Sequence, residues 1–135
     1  MPTRDLLEKA VRLSRENGYL LIGTSDAEGL PHLATAGQIG LEPDKRMSIT
    51  GWFCPGTLYN LDQNKKLSVV VWNTTEDIGY QILGEMEEMV ETAMLNGFVP
   101  LIEIKKTVPQ TENKVVFRVR SVLGFSRAPH SDLEV

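Results

Sequence analysis

Short apolar segments alternate with turn-forming residues along most of this chain, and this alternation limits its fold more than any other feature. Tyr19–Ser25 is rich in apolar and hydroxylated residues, and Asp26–Gly29 supplies the residues of a hairpin turn into a second strand over Leu30–Gln38. A third strand is predicted over Arg46–Phe53, and Pro55 follows it because proline cannot continue a strand ladder. Strands joined by such short connections favour an antiparallel barrel over a parallel sheet.

The second half of the chain contains further strands and one ambiguous segment. Strands are predicted over Leu67–Trp72, Ile78–Gly84 and Val115–Leu123. Gly84 is expected at a bulge or bend, and Val99–Lys106 also alternates apolar and charged residues. Met86–Phe98 fits either a helix or a long twisted strand, and its apolar spacing slightly favours a helix.

Two helices are predicted, one before the first strand and one after the third. Apolar residues recur at helical spacing between a candidate N-cap at Thr3 and a glycine stop at Gly18. A shorter helix is predicted over Thr57–Gln63, where Leu58 and Leu61 are three residues apart. A length of 135 residues is sufficient for one domain with a real core, so we expect one domain.

Composition excludes several classes of protein. Hydrophobic residues make up 41% of the chain and charged residues 24%, which is typical of a folded globular protein. The net charge of -4 argues against tight binding to nucleic acid, which requires concentrated Lys and Arg. The polar N-terminus lacks the apolar core of a secretory signal, and no apolar run approaches the ~20 residues that cross a bilayer. A single cysteine, Cys54, fits a reducing compartment, so we expect a cytoplasmic protein without a nucleic-acid or membrane partner.

Individual reactive side chains give little indication of catalysis or metal binding. His32 lies near a strand start, where a lone histidine is more often structural or exposed than a base. Cys54 has no basic neighbour in sequence and is expected to be a small buried hydrophobe. A glutamate cluster lacks a histidine at ligand spacing, so a solvated surface is favoured over a metal site; it comprises Glu85, Glu87, Glu88 and Glu91. The sequence therefore predicts neither a catalytic residue nor a metal ligand.

The segment that follows the third strand can bind an anion. Gly51 and Gly56 do not match a nucleotide-binding fingerprint. Backbone amides at a helix start can hold a phosphate, and the Thr57 hydroxyl would add a donor. An ordinary strand-to-helix cap explains the same residues and is the favoured interpretation from residue type alone.

Two segments, taken in order, resemble the pyridoxamine 5'-phosphate oxidase-like family of FMN-binding split barrels. They are Leu21–His32, which reads LIGTSDAEGLPH, and Asn60–Val69, which reads NLDQNKKLSV. Gly79–Gly84 also fits, and the match runs from about Tyr19 to Gly84. The resemblance implies a mainly β, six-stranded antiparallel split barrel of Greek-key type over residues 1–135. An N-terminal helix would lie within residues 1–18, with one or two short helices elsewhere and a C-terminal tail over residues 124–135.

The resemblance also implies a homodimer with one FMN at each end of its interface. Two strands would contact the isoalloxazine ring, largely through backbone groups, and small residues there would let the main chain approach a flat ring. These ring-contacting residues are Thr35, Ala36, Gly37, Gln38, Ile49, Thr50, Gly51 and Trp52. The phosphate would lie at the helix start, at Gly56 and Thr57.

The chain differs from this family in its charges. Many members have Arg or Lys at the positions occupied here by Ala34, Ile39, Gly56 and Thr57. The phosphate would then rest on amides and hydroxyls, or on a cation from elsewhere, for which the candidates are Arg118, Arg120 and Arg127. Without the basic positions a phosphorylated substrate is disfavoured, so pyridoxamine phosphate oxidation is not predicted.

The function that the resemblance implies is that of an FMN-dependent oxidoreductase. A substrate opening over the ring would be lined by Trp52, Tyr80, Gln81, Phe125 and His130. The alternatives are a non-enzymatic FMN-binding or electron-transfer protein, and a family member that binds haem or a deazaflavin. The sequence identifies no substrate, electron donor or redox partner.

Overall fold

The computed structural model describes residues 2–95, 110–129 and 131–135 of the chain. The two helices are α1 (Arg4–Asn17) and α2 (Pro55–Gln63). The strands are β1 (Leu20–Ser25), β2 (Pro31–Ala36), β3 (Gln38–Glu42), β4 (Arg46–Trp52), β5 (Lys66–Asn73), β6 (Ile78–Leu95) and β7 (Gln110–Gly124). The alternating segment Val99–Lys106 lies outside the described residues.

Helix α1 begins and ends at the residues that its sequence predicts. The Thr3 hydroxyl accepts a hydrogen bond from the Leu6 N–H at 3.2 Å, which caps the first turn. Gly18 adopts the left-handed conformation (φ 82°), and its N–H donates to the Ser14 carbonyl at 2.9 Å. One face of the helix, formed by Leu7, Ala10, Val11 and Ser14, is buried against the sheet.

The strands form one antiparallel sheet that closes on itself through Gly37. Their order is β2-β1-β5-β6-β7-β4-β3, so the two edge strands β2 and β3 are consecutive in the chain. Only Gly37 separates these two strands, and the chain therefore passes from one edge of the sheet to the other at that residue. The predicted strand Leu30–Gln38 is divided there, which gives seven strands in the described residues instead of six. The fold class is otherwise confirmed, as a mainly β split barrel with an N-terminal helix and one short helix.

The barrel closes where two glycines pack against each other. A methyl group on Gly37 would overlap the Thr50 carbonyl oxygen. Gly51 has φ 135°, and a methyl group built on it would lie 3.1 Å from the Gly37 Cα. These two positions require glycine because the main chains of the two strands cross in contact.

The segment Met86–Leu95 is part of strand β6. The weak preference for a helix over Met86–Phe98 is therefore wrong for Met86–Leu95, and residues 96–98 lie outside the described residues. Strand β6 pairs with β7 along its length and carries register shifts at 83/84, 86/88 and 91/93. The predicted bulge at Gly84 is therefore confirmed. A bulge inserts one extra residue, so Met86 and Met89 both contact the core although they are three apart. The resulting spacing of three residues between core contacts is the same as on one face of a helix, which explains why the sequence favoured a helix here.

The core lies inside the barrel and beneath α1. Phe117, Val119 and Val122 of β7 are almost fully buried there, which agrees with the strand predicted over Val115–Leu123. Ile82 of β6 and Val69 of β5 are also completely buried. Among the described residues, no helix has the length and hydropathy needed to cross a membrane.

Candidate functional site

A groove of about 720 Å³ lies on the outer face of strands β2, β1, β5 and β6. Strand β1 directs Leu20, Ile22 and Thr24 into the core, and the alternate residues Leu21, Gly23 and Ser25 face outwards. The groove is lined by these outward residues of β1 and by their neighbours on the other three strands; the lining also includes Pro31, His32, Leu33, Lys66, Ser68, Val70, Gln81 and Phe125. The volume is within the range of small-molecule and cofactor sites.

The strand register arranges the floor of the groove in two rows. In the first row Gly23 pairs with Leu33 on one side and Ser68 on the other. In the second row Leu21 lies between Thr35 and Val70, and Val70 pairs with Gln81. Because Gly23 has no side chain, the first row is lowest at its centre, where a planar group can lie against the sheet.

The groove combines apolar walls with a few polar groups. Leu33 is 65% exposed and contributes a large aliphatic side chain to the wall of the groove. The Gln81 amide donates to the Ser68 hydroxyl at 2.8 Å, and this bond orients the amide group within the groove. An apolar surface with a small number of oriented polar groups is typical of ligand sites.

Helix α2 is fixed beside the groove by two amide side chains. The buried Asn60 Nδ2 donates to the Thr24 hydroxyl at 3.1 Å, and Asn64 Nδ2 donates to the Ser25 hydroxyl at 2.9 Å. Both acceptors belong to β1, whose outward face forms the groove. The start of α2 is therefore held in a set position relative to the groove.

The start of α2 offers fewer free donors than its sequence predicts. Pro55 has no N–H, and the N–H groups of Thr57 and Leu58 both donate to the Cys54 carbonyl, at 3.0 and 3.2 Å. In the described part of the chain this leaves the exposed Gly56 N–H for an anion. The Thr57 hydroxyl is fully buried and has no hydrogen-bond partner among the described residues, so a polar group is missing from its surroundings. The exposed amide can bind a phosphate directly, and the unpartnered hydroxyl can join it where the first turn of α2 opens to admit the ligand.

His32 connects the start of α2 with the groove. A methyl group placed on Gly56 would lie 3.3 Å from the His32 Nε2, so the imidazole ring packs directly against the first turn of the helix. The same side chain also lines the groove. This contact could not be predicted from the sequence, because Gly56, the spatial neighbour of His32, is 24 positions further along the chain.

The predicted ring-contacting residues divide into three groups. Thr35 is exposed on the groove side of β2, and Gln38 is exposed on β3. The side chains of Ala36 and Ile49 are buried in the core, which leaves only their backbone groups for the contacts predicted from the sequence.

The remaining predicted ring contacts belong to the closed sheet. Gly37 and Gly51 contact each other across the barrel closure, so their small size is already explained by strand packing. Thr50 pairs with Gln38 on one side and Lys114 on the other, and the Trp52 backbone pairs with Glu112. A ligand would meet these backbone groups only from a face of the sheet.

The three arginines considered for the phosphate are engaged elsewhere. Arg118 donates to Glu87 at 3.0 Å, and Arg120 donates to Glu85 at 2.6 Å. Arg118 pairs with Arg46 at the far end of β4, five residues or about 17 Å from Gly51. Arg127 lies 3.6 Å from the Asp77 carboxylate in the turn between β5 and β6.

Two other expectations from the sequence have clear outcomes. Cys54 is exposed at the N-cap of α2, so the expectation that it is a buried hydrophobe is wrong. The glutamate cluster lies on the surface, where Glu85 and Glu87 form ion pairs with arginines. Within the described residues, no group of three His, Cys, Asp or Glu side chains is arranged to hold a metal ion.

Most of the groove was not predicted from the sequence, although Gln81 and Phe125 were named for a substrate opening. His130, which was named with them, lies outside the described residues. The missed residues are outward-facing apolar side chains on β1 and β5. A signal was present: Leu20–Ile22 and Val69–Val71 are apolar on both faces of their strands. In both strands the core lies on one face and the groove on the other.

No family model matches the sequence, and neither does any curated protein. Solved structures with the same fold are found. An FMN-binding protein from Syntrophomonas wolfei shares 23% identity and a TM-score of 0.64, over 93% of this chain and 89% of that one. A pyridoxamine 5'-phosphate oxidase-related, FMN-binding protein from Nostoc punctiforme shares 12% identity and a TM-score of 0.65, over 96% and 88%.

Proteins described by other ligands also share this fold. An F420 reductase has 14% identity and a TM-score of 0.55, over 90% of this chain and 98% of that one. The haem storage protein HutZ from Vibrio cholerae has 12% identity and a TM-score of 0.53, over 90% and 94%. This chain therefore has the split-barrel fold of the pyridoxamine 5'-phosphate oxidase-like proteins, a fold that serves more than one cofactor.

Proposed function

We propose that this chain, which has the split-barrel fold of the pyridoxamine 5'-phosphate oxidase-like proteins, is an FMN-binding protein that acts as a flavin-dependent oxidoreductase. In this proposal the phosphate lies at the start of α2, and the ring lies against the groove on β1, β2 and β5. This proposed ring position differs from the one expected from the sequence, because no described residue of β3 or β4 lines the groove.

The observation that carries this proposal is the position of His32. Its ring contacts the first turn of α2 on one side and lines the groove on the other. An anion site and an apolar groove are therefore continuous. A ligand that joins a phosphate to a flat, largely apolar ring has the shape and polarity that such a site accommodates.

The phosphate site has a low density of positive charge. Its donors are the Gly56 N–H, the Thr57 hydroxyl and the partial positive charge of the helix start. His32 adds an imidazole that donates one hydrogen bond when neutral and two when protonated. We therefore expect the phosphate to contribute modestly to affinity, and a phosphorylated substrate to be a poor ligand for the same groove.

We propose that the protein is a homodimer and that the second copy covers the groove. The groove is open to solvent on one side of the monomer. Large apolar side chains are exposed at its edge and on the helix that packs beside it, with Leu30 68%, Leu33 65% and Tyr59 63% exposed. A second copy over this face would bury these side chains and exclude water from the ring. Replacement of Leu33 by Lys should shift the protein from dimer to monomer in analytical ultracentrifugation.

A bound flavin would supply hydride or electron transfer, which requires no acidic or basic side chain from the protein. The residues of this chain would bind the phosphate, orient the ring with Gln81 and Ser68, and exclude water. These roles agree with the lack of a predicted catalytic residue. The electron donor and the acceptor are not part of the proposal.

The test is the visible absorption spectrum, followed by titration with FMN and riboflavin. Purified protein is expected to show flavin bands or to bind added FMN more tightly than riboflavin. His32→Ala should weaken FMN binding about tenfold and riboflavin binding clearly less, because both ligands place a ring in the groove but only FMN carries the phosphate. Protein with no flavin bands and no binding of added FMN would refute the proposal.

The same protein separates the remaining alternatives. Steady-state assays of FMN-loaded protein with a nicotinamide donor and artificial acceptors distinguish an oxidoreductase from a flavin carrier, which would show no turnover. Haem is a second candidate because His32, an imidazole that can ligate haem iron, lines the groove. A shift of the Soret band of added haem on mixing with the wild type, lost in His32→Ala, would favour haem over FMN. Binding of a deazaflavin in place of FMN would favour a deazaflavin-binding protein.

A further inference from the structure

The C-terminal segment, described over residues 124–129 and 131–135, folds back on the barrel and forms part of the groove. The Gly124 N–H donates to the Leu133 carbonyl at 2.9 Å, and the Val135 N–H donates to the Val122 carbonyl at 3.0 Å. The Phe125 N–H donates to the Gly79 carbonyl of β6 at 3.0 Å. Phe125 itself lines the groove, so the place of this segment decides the shape of the site.

One carboxylate connects this segment to the turn between β5 and β6. The Arg127 N–H donates to Asp77 Oδ1 at 3.0 Å and to Oδ2 at 3.2 Å. The Trp72 indole N–H donates to the same Oδ1 at 3.0 Å. The Arg127 guanidinium lies 3.6 Å from Oδ1, which adds an ion pair. Asp77 thus joins the end of β5, the turn and the C-terminal segment.

The same cluster positions Phe125. The Trp72 and Phe125 rings meet edge to face, with centroids 5.5 Å apart and an interplanar angle of 79°. Gly79 lies beneath them, where a methyl group would be 2.7 Å from the Phe125 carbonyl and 2.9 Å from the indole. The hydrogen bond that orients the indole therefore also orients the surface against which Phe125 packs.

We propose that Asp77 is a positioning residue for the groove: its carboxylate holds the C-terminal segment in place, keeps Phe125 in the groove wall, and thereby couples docking of this segment to binding of a planar ligand. This proposal rests on the proposed function for the identity of that ligand, FMN. Docking of the segment is a property of the protein alone. A ligand that contacts Phe125 binds only the docked state well, so it must also stabilise that state.

The charge of Asp77 supports this role. The backbone hydrogen bond from Arg127 is the largest cause and lowers the pKa of Asp77; desolvation opposes it more weakly, and the Trp72 hydrogen bond and the Arg127 charge lower the pKa further. The carboxylate is therefore ionised throughout the neutral range, where it can accept these hydrogen bonds and form the ion pair.

The test compares Asp77→Asn with a matched control in the full chain. Asp77 has a positive φ of 54°, which asparagine tolerates, so the turn itself is retained. The variant loses the ion pair and replaces one acceptor oxygen by an amide donor. Asp44→Asn is the control, since Asp44 also has a positive φ, 61°, but lies in the turn between β3 and β4.

Hydrogen exchange of the amides of Gly124, Phe125 and Arg127 reports docking without any flavin. We expect Asp77→Asn to accelerate this exchange about tenfold, with little change in the core strands, and Asp44→Asn to leave it unchanged. FMN should slow exchange of the same amides in the wild type. Its Kd should be about five- to tenfold weaker in Asp77→Asn, an effect that a purely structural role would not produce.

The outcomes separate this proposal from the proposed function. Unchanged exchange in Asp77→Asn overturns the positioning role, whatever the ligand. Accelerated exchange with an unchanged FMN Kd overturns the coupling. If the wild type does not bind FMN, the proposed function fails and the coupling fails with it, while the exchange data still decide whether Asp77 holds the segment. Arg127→Gln keeps the backbone hydrogen bond to Asp77 and loses the ion pair. If it accelerates amide exchange tenfold less than Asp77→Asn does, the backbone hydrogen bond is the main contact.

Discussion

Replacement of Thr57 by Val tests the phosphate site through stability. The Thr57 hydroxyl is completely buried, and no described residue provides it with a hydrogen-bond partner. Burial of an unsatisfied hydroxyl costs about 1–3 kcal/mol. Valine has nearly the same shape and a similar helix propensity, so the substitution removes this cost without creating a cavity. We therefore expect Thr57→Val to stabilise the flavin-free protein.

The size of the effect follows from the length of the chain. An unfolding entropy of about 2.1 cal/mol/K per residue gives roughly 0.28 kcal/mol/K for 135 residues. A gain of about 1–3 kcal/mol then corresponds to a rise in Tm of roughly 4–10 °C. Differential scanning calorimetry of the flavin-free protein measures this rise. Thr57→Ser is the matched control, because it keeps the hydroxyl, loses a buried methyl group and should lower the Tm.

The same pair of variants tests what the hydroxyl does when ligand is present. If it binds the phosphate, Thr57→Val should weaken FMN binding by about three- to tenfold and leave riboflavin binding unchanged, whereas Thr57→Ser should keep FMN binding. A Tm that falls in Thr57→Val as far as in Thr57→Ser would refute the reasoning, since it would mean that the hydroxyl already has a partner.

Three further predictions test the closure, the C-terminal segment and the start of α2. Gly37→Ala should lower the unfolding free energy by at least about 3 kcal/mol, because its methyl group overlaps a backbone carbonyl. Gly23→Ala is the control: its methyl group meets only ordinary contacts at 3.6 Å or more, so its unfolding free energy, measured in urea, should rise by about 0.5–1 kcal/mol. Folding lowers the pKa of Asp77, so its stabilising contribution is complete above the unfolded pKa and is lost as the pH falls through the lower, folded value. Amide protection of the C-terminal segment should therefore be constant from about pH 8 to 5 and begin to fall only below about pH 4, and loss near neutrality would contradict the assignment. Gly56→Ala should raise the unfolding free energy by up to about 1 kcal/mol, because the exposed His32 ring can move away from the new methyl group. The same substitution should weaken FMN binding, and an unchanged Kd in the titration would place the phosphate elsewhere.

Local signals predicted the regular elements well. Thr3 and Gly18 mark the ends of α1 because capping depends on residues within one turn of the helix end. The alternation over Val115–Leu123 predicts β7 because side chains on one strand face alternate sides. The segment after Met86 was misread for a related reason: its bulges arise from pairing with β7 and change the local period from outside the segment.

The candidate site was predicted only in part. Gly56 and Thr57 do lie at a helix start beside a groove, and Thr35 lies on the groove side of β2. The side chains of Ala36 and Ile49 face the core, and the arginines considered for the phosphate pair with carboxylates elsewhere. These outcomes depend on which strands become neighbours.

By itself, the sequence determined where the helices and most strands begin and end, and that the sheet is antiparallel, because capping, turn chemistry and side-chain alternation act over a few residues. Only the tertiary structure decided that Gly37 closes the barrel, that His32 meets Gly56, and that Asp77 holds the C-terminal segment beside the groove. Each of these contacts joins residues 14 to 50 positions apart in the chain. Their geometry comes from strand order and register, which no local pattern specifies.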